Sequence, residues 1–127
     1  MREKEPEFYA CRGCGLVVEV LRGEGAKLEN AQLQKLEPGT SDGAAEKHLP
    51  AVTREGGRVT VQVGSVEHPM SAEHSIEWIY LATQKGGQRA DLHSTDAPRA
   101  TFLLTEDDEP LAAYAYCNLH GFWKTGL

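Results

Sequence analysis

Five side chains of metal-binding type fall in three short clusters, and a fold that uses them together must bring those clusters to one point. They are His48 in Glu46-Lys47-His48-Leu49-Pro50, His68 and His74 in His68-Pro69-Met70-Ser71-Ala72-Glu73-His74, and Cys117 and His120 in Cys117-Asn118-Leu119-His120. The chain has five histidines, so His93 alone stands outside the pattern. In Asp91-Leu92-His93-Ser94-Thr95-Asp96 it reads as a surface residue. A single histidine is more often a hydrogen-bonded or surface group than a ligand, but scattered histidines do not explain three clusters together. Pro50 and Pro69 stiffen the backbone beside His48 and His68. Within Cys117–His120 one turn offers a thiolate and an imidazole to the same ion, and backbone N–H groups after the cysteine can bond its sulfur. Imidazole and thiolate suit a first-row transition ion. Five protein donors exceed the four that close a structural zinc site, which favours an iron-type centre with an open position. The competing reading is a non-catalytic metal-binding or thiol-exchange module with a structural zinc.

The strand pattern says what scaffold would carry these clusters. Phe8-Tyr9-Ala10, a knuckle at Cys11-Arg12-Gly13-Cys14-Gly15, and Leu16–Leu21 read as strand, turn, strand. Residues 22–45 show little regular apolar pattern. Pro38-Gly39-Thr40-Ser41-Asp42-Gly43 is turn chemistry and places a boundary near residue 38, with domains expected at 1–37 and 38–127. Beyond it, Arg58–Val63 alternates with period two, and Glu55-Gly56-Gly57-Arg58 before it reads as a tight hairpin. Ser75–Leu81 is a second strand, with Ile76, Trp78 and Tyr80 expected on one face. Lys85-Gly86-Gly87-Gln88 repeats the hairpin signal, and Ala100–Leu104 and Leu111–Tyr116 complete the set. No segment has a convincing helical period. Short strands with Gly- and Pro-bearing turns predict an all-β sandwich or barrel, with the ligands in loops at strand ends. Trp78 and Trp123 read as core or site-wall residues.

Charge and cysteine usage narrow the function. A net charge of −6 with scattered Lys and Arg argues against nucleic acid. No apolar run approaches the ~20 residues of a membrane span. The charged start Met1–Glu7 does not read as a secretory signal. Three cysteines are not an even-numbered disulfide framework. The expectation is a soluble cytoplasmic protein with reduced thiols.

The ordered strings Gly39–Pro50, Gly64-Ser65-Val66-Glu67-His68-Pro69-Met70, His74-Ser75-Ile76-Glu77-Trp78-Ile79 and Tyr116–Lys124 resemble the superoxide reductases in their two-domain form, desulfoferrodoxin. The resemblance covers nearly the whole chain. It implies an immunoglobulin-like β-sandwich with a small desulforedoxin-like β domain before it. It also implies one mononuclear non-haem iron, with His48, His68, His74 and His120 equatorial and Cys117 axial. The position opposite the sulfur would take superoxide. The carboxylate matching Glu46 would fill that position in the ferric state, and Lys47 would sit beside it. Taken without the resemblance, Glu46 and Lys47 read as a solvated charge pair. A reductase of this kind needs an external electron donor, which the resemblance implies is rubredoxin-like, and the family suggests a homodimer.

Cys11 and Cys14 look like half of a rubredoxin-type knuckle. The region where relatives with a second iron carry another cysteine pair is Leu28-Glu29-Asn30-Ala31-Gln32, which has none. One chain cannot complete a four-thiolate site. Three readings stay open for the pair: an empty structural remnant, a reversible disulfide, or a four-cysteine site shared across a dimer axis.

Overall fold

The computed structural model describes residues 4–11, 13–30, 32–39 and 43–127 of the chain. Thr40–Asp42 of the expected linker turn, Met1–Glu3 of the charged start, Arg12 of the knuckle and Ala31 lie outside the described residues. The contacts group the chain into a unit ending at Glu37 and a unit running from Pro38 to Leu127.

The N-terminal unit is a three-stranded antiparallel sheet of order β2-β1-β3, from β1 (Phe8–Cys11), β2 (Val17–Glu19) and β3 (Leu33–Lys35). Phe8 and Tyr9 are its buried apolar side chains. A 3-10 turn at Gly25–Leu28 and the strand β3 occupy the stretch that carries no regular pattern in the sequence. Cys11 and Cys14 are joined in a disulfide. The expectation of reduced thiols is therefore corrected for this pair, whose Cα atoms the two-residue knuckle brings within 5.6 Å. Sulfurs bonded to each other have no thiolate to give a metal, so in this state a shared four-cysteine site cannot form.

The larger unit is a sandwich of two antiparallel sheets. One has the order β4-β5-β8, from β4 (Pro50–Glu55), β5 (Arg58–Val63) and β8 (Arg99–Leu103). The other has the order β10-β9-β6-β7, from β6 (Ile76–Thr83), β7 (Gly86–Asp91), β9 (Pro110–Cys117) and β10 (Gly121–Gly126). Both expected hairpins are present, with Glu55 opposite Arg58 and Thr83 opposite Gly86. The period-two apolar residues of the facing strands make one core: Val59, Val61 and Val63 of β5, Phe102 of β8, Ile76, Ile79 and Leu81 of β6, and Ala113, Ala115 and Cys117 of β9. Thr125 on β10 donates its hydroxyl to the Pro50 carbonyl on β4 at 2.7 Å, tying the two sheets at one edge.

Ile76 does not share a face with Trp78 and Tyr80. Ile76 pairs with Cys117 and Trp78 with Tyr116, so Glu77 is an extra residue in the strand. Such a bulge resets the side-chain alternation by one. Ile76 therefore joins Ile79 and Leu81 in the core. Trp78 and Tyr80 lie on the other face, where Trp78 stacks on Tyr116 at 5.5 Å and Tyr114 on Phe122 at 5.2 Å. The lack of a helical period is corrected locally by one α-helical turn, α1 (Ala45–His48). Four residues are too few for an apolar repeat to show.

Candidate metal centre

The sandwich gathers the three ligand clusters at one end. His48 closes α1 just before β4 starts, and Pro50 is registered with Val63 at the end of β5. His68 lies in the loop leaving β5, its N–H donating to the Val63 carbonyl at 2.8 Å. His74 sits just before β6, whose first residue pairs with Cys117 at the end of β9. Cys117 also faces Gly121 across the turn that carries His120. Strand register and the short segments at the strand ends thus place all five side chains around the same edge of the core.

The imidazoles form a ring. His48 lies next to His68, His68 next to His74, His74 next to His120, and His120 next to His48, at centroid distances of 4.7, 4.6, 5.2 and 4.9 Å. Neighbouring rings are close to perpendicular, while His48 and His74 face each other across the ring at 6.4 Å. Donor atoms of His48, His68, His74 and Cys117 all lie within 4.8 Å of one another. The Cys117 sulfur is 3.4 Å from His68 Nε2. His120 belongs to the ring of imidazoles but not to that tighter donor group. His93 is exposed, bonded to Thr95 and Asp96.

Backbone carbonyls select the tautomers of two of the candidate ligands. His48 Nδ1 lies 2.8 Å from the Ala44 carbonyl and His68 Nδ1 lies 2.6 Å from that of Pro69. A carbonyl can only accept, so each Nδ1 carries the proton and each neutral ring presents a lone pair on Nε2. Those two Nε2 atoms are 3.2 Å apart. His74 Nε2 is also buried, with no hydrogen-bond partner among the described residues. Facing acceptors with no donor between them are costly when buried, and a shared cation satisfies them.

A proton is a poor candidate for that cation. His48 and His68 are each only 2% exposed. Burial is the main cause that pulls His68 down to about 4, helped by the nearby His48, His74 and His120. Burial also lowers His48 and His74, and the Lys47 charge adds to both. His48, His68 and His74 therefore stay neutral and able to ligate. Donor type, tautomer, convergence and the orphaned Nε2 all fit a soft-to-intermediate transition ion.

Four surrounding residues escaped the sequence reading or were only half seen by it. Trp123 stacks on His48 at 4.9 Å and donates its indole N–H to the His120 carbonyl at 2.9 Å, so of the two tryptophans it is the site wall. A Cβ on Gly64 would lie 2.6 Å from the Glu46 carbonyl and 3.0 Å from that of Leu49, because the α1 turn lies directly on this residue. Val66 N–H and the Ser65 hydroxyl also donate to the Glu46 carbonyl, at 2.9 and 3.3 Å. Glu46 and Lys47 themselves have exposed side chains.

Fold and donor set together define a β-sandwich metalloprotein with a histidine–cysteine centre at one end. Residues 40–126 match the desulfoferrodoxin family. The chain is 43% identical to a desulfoferrodoxin homolog of Archaeoglobus fulgidus over 94% of this chain and 96% of that one. It is 42% identical to the desulfoferrodoxin of Nitratidesulfovibrio vulgaris over 93% and 94% of the two chains. The crystal structure of the superoxide reductase from Treponema pallidum superposes with a TM-score of 0.81 at 40% identity, covering 96% of this chain and 99% of that one. The chain belongs to the desulfoferrodoxin family. Iron is the metal of that family, and the His/Cys cluster is one that could hold it. No helix among the described residues is long and apolar enough to cross a membrane.

Proposed function

We propose that this chain is a superoxide reductase, with one iron held by His48, His68, His74, His120 and Cys117. The observation that supports this most is the ring of four imidazoles beside the Cys117 sulfur, with two of the rings fixed in the ligating tautomer by Ala44 and Pro69. Iron bound there supplies the single electron through its ferrous and ferric states. Each superoxide takes up that electron and two protons from water and leaves as hydrogen peroxide, and an external one-electron donor restores the protein.

The chain's own residues do the rest. His48 and His68 cannot swing away while their Nδ1 protons are tied to carbonyls. Trp123 covers His48 and keeps water from that side of the ring. The Lys47 ammonium is exposed on the turn that ends in His48, and its charge is felt at His48 and His74. It draws an anion towards the ring in a protein whose net charge is −6. Glu46 is a hard carboxylate donor on the same exposed turn and would suit the ferric ion better than the ferrous one. The donor is read as a rubredoxin-like protein, the assembly as a homodimer and the setting as the cytoplasm. Residues 1–37 are read as a desulforedoxin-like domain that has lost its metal, in keeping with the Cys11–Cys14 disulfide.

One observation favours the zinc module: the tight donor group contains four residues, the number that closes a structural zinc site. His120 weighs against it, since this fourth imidazole, a fifth donor residue, stands edge-on to both His48 and His74. The deciding experiment mixes the reduced, iron-loaded protein with a pulse of superoxide. One peroxide formed per superoxide consumed, without oxygen, supports the reductase. Peroxide and oxygen in equal amounts, or no reaction, would overturn it.

A further inference from the structure

His74 lies just before β6 and Cys117 ends β9, where Ile76 pairs with Cys117. Asn118, which follows Cys117, spans the junction. Its Oδ1 accepts the Ser75 N–H at 3.0 Å and its Nδ2 donates to the Glu73 carbonyl at 2.9 Å. Its own N–H donates to the Ser75 carbonyl at 3.2 Å. One amide thus grips the backbone on both sides of His74. Only this orientation of the amide matches both partners, because Ser75 N–H can only donate and Glu73 C=O can only accept. On the far side, Ser71 accepts the His74 N–H at 3.1 Å on its hydroxyl and donates its own N–H to the His74 carbonyl at 2.9 Å.

We infer that Asn118 is a positioning residue, a clamp that fixes His74 relative to the Cys117 sulfur. The inference rests on the metal-centre reading above. Its chemistry is specific: a side chain needs a donor and an acceptor side by side to hold a carbonyl and an N–H flanking one residue. Alanine offers neither. Aspartate offers the acceptor for Ser75 but faces the Glu73 carbonyl with a second oxygen. Glutamine has both groups but is one methylene too long. Removal of an outer partner that orients a ligand typically lowers metal affinity by roughly 10–100-fold.

The test compares wild type, Asn118→Ala and Asn118→Asp with Gln88→Ala. Gln88→Ala removes a comparable bond, Gln88 Nε2 to the Leu103 carbonyl at 2.8 Å, which links β7 to β8 away from the ligand end. In the metal-free proteins, amide exchange at Ser75 and the NMR signals of the His74 ring report the clamp directly. Faster exchange at Ser75 and a broadened His74 ring are expected in Asn118→Ala. Partial recovery at Ser75 is expected in Asn118→Asp, and no change in Gln88→Ala. In the iron-loaded proteins, both Asn118 variants should lose iron to a chelator about tenfold or more faster than wild type. They should also shift the thiolate-to-ferric absorption band. Unchanged Ser75 exchange and an unchanged His74 ring would overturn the clamp whatever metal the protein takes. A clamp seen in the metal-free protein with wild-type chelation and band would overturn its effect on the centre. Failure of wild type itself to take up iron would instead count against the reductase reading, and the metal-free comparison would still decide the clamp.

Discussion

His48 and His68 point their Nε2 atoms at each other across 3.2 Å, while each gives its Nδ1 proton to a backbone carbonyl. Two buried lone pairs aimed together raise the energy of the metal-free protein, and a bound cation removes that cost. The arrangement is preorganised for a metal at the expense of the empty state.

Replacing His68 with alanine removes one of the facing lone pairs and a donor 3.4 Å from the Cys117 sulfur. The variant is expected to lose stoichiometric iron. In the metal-free form it should keep most of its stability, since the buried repulsion goes with the ring. Metal analysis and thermal melting of both forms check this. Iron content equal to wild type would show that His68 is not a ligand.

Lys47→Ala should leave iron content unchanged, because the ammonium is exposed and holds no ligand. The second-order rate with superoxide should drop on the order of 10-fold at low salt, where steering is strongest. Wild type should slow as ionic strength rises, and the variant should slow less. Equal rates at low salt would remove the role given to Lys47.

Gly64→Ala tests the seat of the α1 turn. The new methyl meets backbone atoms of Glu46, Lys47 and Leu49 at 2.6, 2.8 and 3.0 Å, and backbone cannot rotate away. A loss of about 1–3 kcal/mol is expected from overpacking, with weaker iron binding because His48 moves with the turn. Urea unfolding and chelator competition measure the two effects. Wild-type values in both would mean that the turn has room to shift.

Ile79→Ala tests the scaffold separately from the site. Ile79 is fully buried between the sheets. Its truncation should cost about 2–5 kcal/mol, measured by urea unfolding of the metal-free protein.

Much of this was legible from residue order, and the exceptions have physical causes. Val59, Val61 and Val63 announce β5 by strict alternation, and that alternation is the inner face of the sandwich. β7 was hidden because Gly86-Gly87-Gln88-Arg89-Ala90-Asp91 has few strand-forming side chains, and pairing with β6 imposes its conformation. β10 was obscured because its aromatic residues read as part of the ligand motif. The bulge at Glu77 has no local signal, since it arises from how β6 registers on β9. The ligand clusters could be proposed from the sequence because spacing and donor type survive without coordinates. The clamp of Asn118 and the stacking of Trp123 on His48 could not, because each depends on segments that meet only in the folded chain.

The most direct test of the central claim is iron per chain, measured with the visible spectrum before and after oxidation. The account predicts one iron per chain and a thiolate-to-ferric band that appears only on oxidation and is absent in Cys117→Ser. A protein that stays colourless after anaerobic iron loading and oxidation, or that binds one zinc and excludes iron, would contradict it.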